Sequence, residues 1–151
     1  MVTIRQTRLS DLGELLSLDQ IARGDEKRRL FIADAVSSGQ CWVAEGDGAI
    51  LGYVILDYSF YGCGFVSLLY VREGFRRQGV GSALMRHAVG QCRSEKLFTS
   101  TNQSNQAMQA LLQSAGFGPS GTIENLDEGD PELVYFRKIS PVPAGAAGEE
   151  T

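Results

Sequence analysis

The stretch LLYVREGFRRQGVGSALM, residues 68–85, changes from a strand pattern to a loop and then to a helical pattern. The other predicted elements are placed relative to it. It begins inside the run GFVSLLYV, which is apolar on both faces and is therefore typical of a central, covered strand. From Val80 onward, apolar residues recur at helical spacing. The adjacent arginines Arg76 and Arg77 and the glycines Gly79 and Gly81 lie where these two patterns meet. The stretch predicts a strand, a glycine loop and a helix in direct succession.

The glycine loop has the composition of an anion site. Because Gly79 and Gly81 lack Cβ atoms, the backbone N–H groups of residues 77–82 can turn toward one point beside the positive end of the helix dipole. Arg76 and Arg77 can add charge-assisted hydrogen bonds to phosphate oxygens. The loop is thus predicted to bind a pyrophosphate, and the alternative is a glycine-rich turn with solvated arginines.

Two better-known phosphate loops do not fit these residues. A P-loop requires Lys followed by Ser or Thr, where this chain has Val80 and Gly81. A dinucleotide fingerprint requires a third glycine, where this chain has Leu84. A nucleotide-phosphate binder of another kind stays open as a weaker alternative.

The remaining chain alternates between strand-like and helix-like patterns. Ser10 is predicted to cap a first helix, and a second helix is expected to end near Gly39. Gly46-Asp47-Gly48 predicts a hairpin turn, and Gly116 a left-handed helix end. The predicted order is βααβββαβαββ, an α+β domain with helices on a mixed, mostly antiparallel sheet. We expect one domain over residues 1–139 and a flexible tail over residues 140–151, whose small and polar residues cannot form a core.

Composition narrows the classes of function. Fourteen Lys and Arg against 18 Asp and Glu give a net charge of -4, which does not favour binding to nucleic acid or an anionic membrane. The cysteines, Cys41, Cys63 and Cys92, are odd in number and widely spaced, so neither a disulfide framework nor a metal site is predicted. No apolar stretch approaches the roughly 20 residues of a membrane span, and we expect a cytoplasmic protein.

Two segments resemble the GNAT superfamily, the Gcn5-related N-acetyltransferases. Residues 68–85 resemble the family's motif A, whose strand and loop bind acetyl-CoA. The segment NQAMQALLQSAGF, Asn105 to Phe117, resembles motif B, an Asn-led helix that ends in Gly-Phe. With the βαα start and the terminal hairpin in family order, the resemblance covers about residues 2–138.

The resemblance implies a set of residues that hold acetyl-CoA as the acetyl donor. Backbone groups at the end of the central strand would lie along the pantetheine arm, the loop would hold the pyrophosphate, and Asn105 would contact the cofactor arm or, alternatively, only cap its helix. The positions so implied are Leu69, Tyr70, Val71, Arg76, Arg77, Gln78, Gly79, Val80, Gly81, Ser82 and Asn105.

The catalytic positions depart from the family pattern. Leu112 replaces the motif B tyrosine that serves many relatives as an acid, and Ser67-Leu68 replace the usual central-strand carboxylate. Tyr70 is the substitute catalytic residue that we predict, although its ring could instead pack beneath a helix. His87, the single histidine, is predicted to pack against the core.

The acidic segment IENLDEGDPELVY is the basis for a prediction about the amine that accepts the acetyl group. Five carboxylates lie within residues 124–132, between the last two strands. They could attract a cationic amine, or the segment could simply be a solvated turn. Asp130 and Glu132 are the predicted substrate-binding residues. The predicted activity is transfer of acetyl to a primary amine of a small molecule or protein, and the alternative is a CoA-binding module with little or no catalysis. Homodimerisation is a further expectation from the resemblance.

Overall fold

The computed structural model describes residues 2–139, so the predicted tail lies outside the described residues. Its elements are β1 (Thr3–Gln6), α1 (Leu12–Leu18), α2 (Glu26–Ser37), β2 (Cys41–Gly46), β3 (Ala49–Phe60), β4 (Cys63–Val71), α3 (Val80–Gln91), β5 (Lys96–Asn102), α4 (Gln106–Ser114), β6 (Gly118–Ile123) and β7 (Glu132–Lys138). Two short 3-10 helices, Leu9–Asp11 and Ala22–Gly24, flank α1. The strands form a seven-stranded sheet in the order β1-β2-β3-β4-β5-β7-β6. The predicted α+β class is confirmed.

The chain forms two compact units, and β3 and β4 run through both of them. The first unit contains the residues up to Asp57 together with Val66–Gly90. The second contains Tyr58–Phe65 together with the described residues from 91 to 139.

In the first unit, β2 pairs antiparallel with β1 on one side and with β3 on the other. The β2–β3 turn consists of Asp47 and Gly48, both with positive φ (54° and 77°), as the predicted hairpin requires. A bulge between Ala44 and Glu45 shifts the register, so that Ala44 pairs with Gly52.

The core of the first unit joins α1 and α2 to one face of these strands. Alternate residues of β2 and β3 point into it, as expected for a strand with a period of two. Its buried members are Leu15, Leu18, Ala22, Ile32, Ala35, Val36, Cys41, Val43, Ile50, Tyr53, Ile55 and Tyr70.

The start of α1 differs from the prediction. Ser10 does not cap this helix, because a 3-10 turn occupies residues 9–11 and Asp11 is the N-cap residue. The Asp11 carboxylate accepts hydrogen bonds from the backbone N–H of Arg8 (2.7 Å) and from Arg5 Nη1 and Nη2 (2.8 and 3.0 Å). The Asp11 carboxylate therefore closes the 3-10 turn and pairs with Arg5 on β1, and it makes no capping hydrogen bond to α1.

In the second unit, β7 pairs antiparallel with both β5 and β6. Helix α4 ends in a Schellman motif, in which Phe117 N–H donates to Leu112 C=O (2.9 Å) and Gly116 N–H to Gln113 C=O (3.1 Å). Gly116 has φ +90°, as its predicted role at the helix end requires.

None of the helices within residues 2–139 combines the length and the apolarity that crossing a membrane would require.

Candidate functional site

The C-terminal end of β4 presents Leu69, Tyr70 and Val71, the three residues predicted to run along the pantetheine arm. Gly52 of β3 approaches this segment so closely that a Cβ at position 52 would lie 2.7 Å from the carbonyl oxygen of Tyr70 and 3.2 Å from Val71 Cα. Only glycine permits this distance between the two strands. The position of the Tyr70–Val71 backbone thus depends on Gly52.

The side chain of Tyr70 belongs to the core of the first unit. It is 7% exposed, and its ring lies 6.1 Å from that of Tyr53. Its hydroxyl oxygen accepts a hydrogen bond from the backbone N–H of Gln20 (3.2 Å). The packing that we considered for this ring is present, and a catalytic role for its hydroxyl stays a prediction.

Beside Tyr70, a fully buried carboxylate organises the connection between α1 and α2. Asp19 Oδ2 accepts from Tyr53 Oη and from Arg28 Nε and Nη2 (3.1 and 2.9 Å). Asp19 Oδ1 accepts from the backbone N–H groups of Ile21 and Ala22, both at 3.0 Å. Each oxygen of this buried charge therefore has several donors, which compensates for its loss of hydration.

These contacts shift the pKa values of the partners in opposite directions. Burial alone raises the pKa of the Asp19 carboxyl, but hydrogen bonds from Tyr53 and Arg28 outweigh it and hold the pKa below its ordinary value. Burial and the neighbouring Asp19 carboxylate raise the pKa of Tyr53. Asp19 is therefore ionised and Tyr53 protonated at neutral pH.

The loop between β4 and α3 has the backbone of an anion-binding nest. Positive φ occurs at Arg77 (67°) and Gly79 (85°), but not at Gln78 between them or at Val80 after them. Alternation of this kind turns successive N–H groups toward the same side of the chain. Positive φ is rare for a residue such as arginine and costs about 1 kcal/mol or more, which is typical of functional loops.

The first turn of α3 extends this concave surface. The N–H groups of Val80, Gly81 and Ser82 lie at the start of the helix, where they have no partner within it. A Cβ on Gly79 would meet no atom within 4 Å, so the space beside the loop is open. Unpaired donors, a helix N-terminus and open space together fit a pyrophosphate group.

The two loop arginines differ in their contacts. Arg76 Nε donates to the carbonyl oxygen of Val71 (2.9 Å), and its guanidinium carbon lies 5.1 Å from the centre of the Tyr70 ring. Arg76 and Arg77 are both exposed. Among residues 2–139, the ion pairs involve other arginines and leave these two without a carboxylate partner.

Three polar atoms in the first unit are buried without a hydrogen-bond partner among the described residues, Arg5 Nε, Ser67 Oγ and His87 Nε2. The His87 ring lies 5.7 Å from that of Trp42, and burial lowers the pKa of this histidine. The environment of His87 agrees with the predicted packing role.

In the second unit, Asn105 is the N-cap of α4, and its Oδ1 accepts from the backbone N–H of Met108 (3.1 Å). The helix-capping alternative for Asn105 is thus present, and a contact between its amide and the cofactor stays a prediction. Leu112, at the position of the family's tyrosine, is fully buried.

The two residues predicted to bind the amine substrate, Asp130 and Glu132, have different hydrogen-bond partners. Both Asp130 carboxylate oxygens are engaged by Ser104, Oδ1 by its N–H (2.9 Å) and Oδ2 by its hydroxyl (2.6 Å). Glu132 Oε2 accepts from the Ser100 hydroxyl (2.7 Å). Asp130 consequently stabilises its loop, and Glu132 keeps an oxygen that this bond does not use.

Within residues 2–139, no group of three or more His, Cys, Asp and Glu side chains is arranged to hold a metal ion.

Comparison with known proteins defines the class. The family model of the acetyltransferase (GNAT) family matches residues 9–117 of this chain. No curated protein gives a significant match. The glycine loop and its strand lie inside the matched range, so the protein is classed as an acetyltransferase.

Solved structures agree with this class. The chain is similar to an acetyltransferase of the GNAT family from Bacillus cereus ATCC 10987, with 34% identity, a TM-score of 0.87, and coverage of 93% of this chain and 99% of that one. The fold is also similar to that of Ard1 from Thermoplasma volcanium, with 20% identity, a TM-score of 0.80, and coverage of 93% of this chain and 99% of that one. It is similar as well to that of the ribosomal-protein-S18-alanine N-acetyltransferase from Escherichia coli, with 21% identity, a TM-score of 0.79, and coverage of 94% of this chain and 96% of that one. The chain belongs to the acetyltransferase (GNAT) family.

Proposed function

We propose that the protein transfers an acetyl group from acetyl-CoA to a primary amine of a small molecule or of a protein. The observation that carries this proposal is the alternation of φ through Arg77, Gly79 and Val80, which turns backbone donors toward one point at the start of α3. Acetyl-CoA would supply the acetyl group as a thioester. Arg76–Ser82 would bind its pyrophosphate, and the backbone of Leu69–Val71 would orient the pantetheine arm.

The acceptor amine must lose a proton before it can react. An amine like that of lysine has a pKa of about 10.4 and is mostly protonated at neutral pH, so a base is needed. Glu132 is the candidate that we favour, because its carboxylate is half-buried, is oriented by Ser100 and keeps an oxygen outside that bond. Tyr70 is the candidate acid, and its hydroxyl is tested separately below.

A pair of glycine variants tests the loop. Gly79 and Gly48 have similar φ (85° and 77°), and a Cβ on either would meet no atom within 4 Å. Each change to alanine therefore costs about the same backbone strain, of order 1 kcal/mol. We expect Gly79→Ala to raise the Kd for CoA about tenfold or more because it misaligns several donors at once, whereas Gly48→Ala should leave it unchanged. Equal CoA affinities in the two variants would contradict the proposed loop.

A second experiment separates catalysis from binding. Release of free thiol from acetyl-CoA should be measured with a panel of small amines, lysine peptides and peptides with free N-termini. Turnover with one class identifies the acceptor. CoA binding without turnover on any amine would instead support the CoA-binding module, for which the buried Leu112 at the usual tyrosine position is the relevant observation.

The acid and the base are tested by isosteric changes. If Glu132 is the base, Glu132→Gln should lower kcat about a hundredfold or more and leave the Kd for CoA unchanged. Asp130→Asn is the matched control, since its carboxylate is engaged by Ser104. A kcat for Glu132→Gln as high as that of the wild type would exclude Glu132 as the base. A kcat for Tyr70→Phe equal to that of the wild type would exclude the Tyr70 hydroxyl as the acid.

A further inference from the structure

We infer that the ring of Tyr70 is a positioning residue for pyrophosphate recognition, which holds the guanidinium of Arg76 in place beside the glycine loop before the ligand arrives. The inference rests on the proposed function, because it assumes that the loop binds the pyrophosphate of CoA. It assigns the Tyr70 ring a role that is independent of any chemistry at its hydroxyl.

Two contacts fix the Arg76 side chain. Its Nε–H donates to the carbonyl oxygen of Val71, and its guanidinium carbon lies 5.1 Å from the centre of the Tyr70 ring, within the range of a cation–π interaction. The Nε bond uses one of the five guanidinium N–H groups. The two terminal nitrogens carry the other four, which suit a bidentate contact with phosphate oxygens.

The ring itself is rigidly supported. It is 7% exposed, packs beside Tyr53, and its hydroxyl is tied to the backbone of Gln20. The Gln20 side chain in turn donates to Glu73, at the start of the same loop. A ring supported in this way can hold an exposed arginine, whereas a mobile surface side chain could not.

Two arginines lie over the Tyr70 ring, and only Arg76 has a charge that is available to bind a ligand. The guanidinium carbon of Arg28 also lies over Tyr70, at 5.9 Å, but its charge is paired with buried Asp19. Arg76 has no such carboxylate among the described residues, so its charge is not cancelled locally. Its contacts with Val71 and Tyr70 limit its rotamers without neutralising it, which lowers the entropic cost of forming hydrogen bonds to a phosphate.

A double-mutant cycle tests this coupling. CoA binding should be measured by calorimetry for the wild type, Tyr70→Leu, Arg76→Met and the double variant. We expect Tyr70→Leu to raise the Kd for CoA about fivefold, the upper range for an exposed cation–π contact, and to have no such effect when Arg76 is already methionine. Tyr70→Phe, which keeps the ring, should bind CoA as the wild type does.

A truncated donor supplies the matched control on the ligand side. S-Acetylpantetheine lacks the pyrophosphate, so kcat/KM with this donor should be the same for Tyr70→Leu and Tyr70→Phe, which both lack the hydroxyl, while the KM for acetyl-CoA should be higher for Tyr70→Leu. A loss relative to Tyr70→Phe that is equal with both donors would show that the ring acts through the packing of the core and not through the pyrophosphate, and it would overturn the inference.

Arg76→Lys keeps the test decisive if Tyr70→Leu does not fold, because residue 76 is exposed and the variant retains the charge. Lysine lacks both the planar group and the Nε–H bond to Val71. The inference expects its Kd to lie above that of the wild type, because lysine keeps the charge but loses the fixed position, and a Kd equal to the wild type would overturn it. Failure of the wild type to bind CoA would overturn the proposed function as well, whereas wild-type binding without coupling would overturn the inference alone.

Discussion

Replacement of Gly52 by alanine tests the close approach of β3 to the end of β4 in the first unit. The new Cβ would lie 2.7 Å from the Tyr70 carbonyl oxygen, 3.2 Å from Val71 Cα and 3.2 Å from Leu84 Cδ1. The leucine methyl can move, but the two backbone atoms cannot do so without displacing the end of β4. Overpacking of this kind costs about 1–3 kcal/mol, and a cost of 2 kcal/mol would lower the Tm by about 4–8 °C in a protein of this size.

The assay is urea unfolding, followed by CoA titration under native conditions. Gly118→Ala is the matched control, because Gly118 also lies in a strand and a Cβ there would meet no atom within 4 Å. We expect Gly52→Ala to lose about 2 kcal/mol relative to this control and to bind CoA more weakly, since the displaced backbone is the proposed pantetheine contact. Equal stability of the two variants would refute the reasoning about the strand spacing.

Three further predictions concern buried groups. Asp19→Ala should destabilise the protein by about 3 kcal/mol, because it leaves the half-buried guanidinium of Arg28 and the buried hydroxyl of Tyr53 without their partner. Since the folded-state pKa of Asp19 is lowered, its contribution should be present at neutral pH and be lost as the pH falls below about 4, and acid unfolding of the variant should lack this component. Because burial lowers the pKa of His87 in the folded protein, the unfolded chain binds the proton at a higher pH than the folded chain does. The free energy of unfolding should therefore fall as the pH drops below about 6.5. A His87→Leu variant with the same pH dependence of stability would contradict this. Burial raises the pKa of the Cys41 thiol to about 12, so a thiol reagent at pH 8 should modify Cys41 only after unfolding, which mass spectrometry of the labelled peptides will show.

The fold class and the glycine loop could be predicted from sequence because their signals are local. A change from strand to helical spacing, with two glycines between, is contained within residues 68–85. The end of α4 was equally predictable, because Gly116 is a residue that readily adopts the required positive φ.

The features that sequence could not predict depend on partners far apart in the chain. The predicted start of α1 was wrong because a 3-10 turn occupies residues 9–11, where Asp11 pairs with Arg5 on β1. The Asp19 network needs Arg28 and Tyr53, which no local pattern joins to it. Gly52 carried a usable signal, since glycine within a strand often marks a close approach of backbones, but its neighbour could be named only from the structure.

The contact between Trp42 and His87 has a spectroscopic consequence. Trp42 is the single tryptophan of the chain, and it lies in the first unit, as does the histidine ring beside it. The intrinsic emission of the protein therefore reports on the first unit, which carries the glycine loop and the end of β4. The second unit contains no tryptophan, whereas tyrosine absorbance and backbone dichroism report on both units. Comparing the two signals will show whether the proposed CoA-binding unit unfolds together with the rest of the chain.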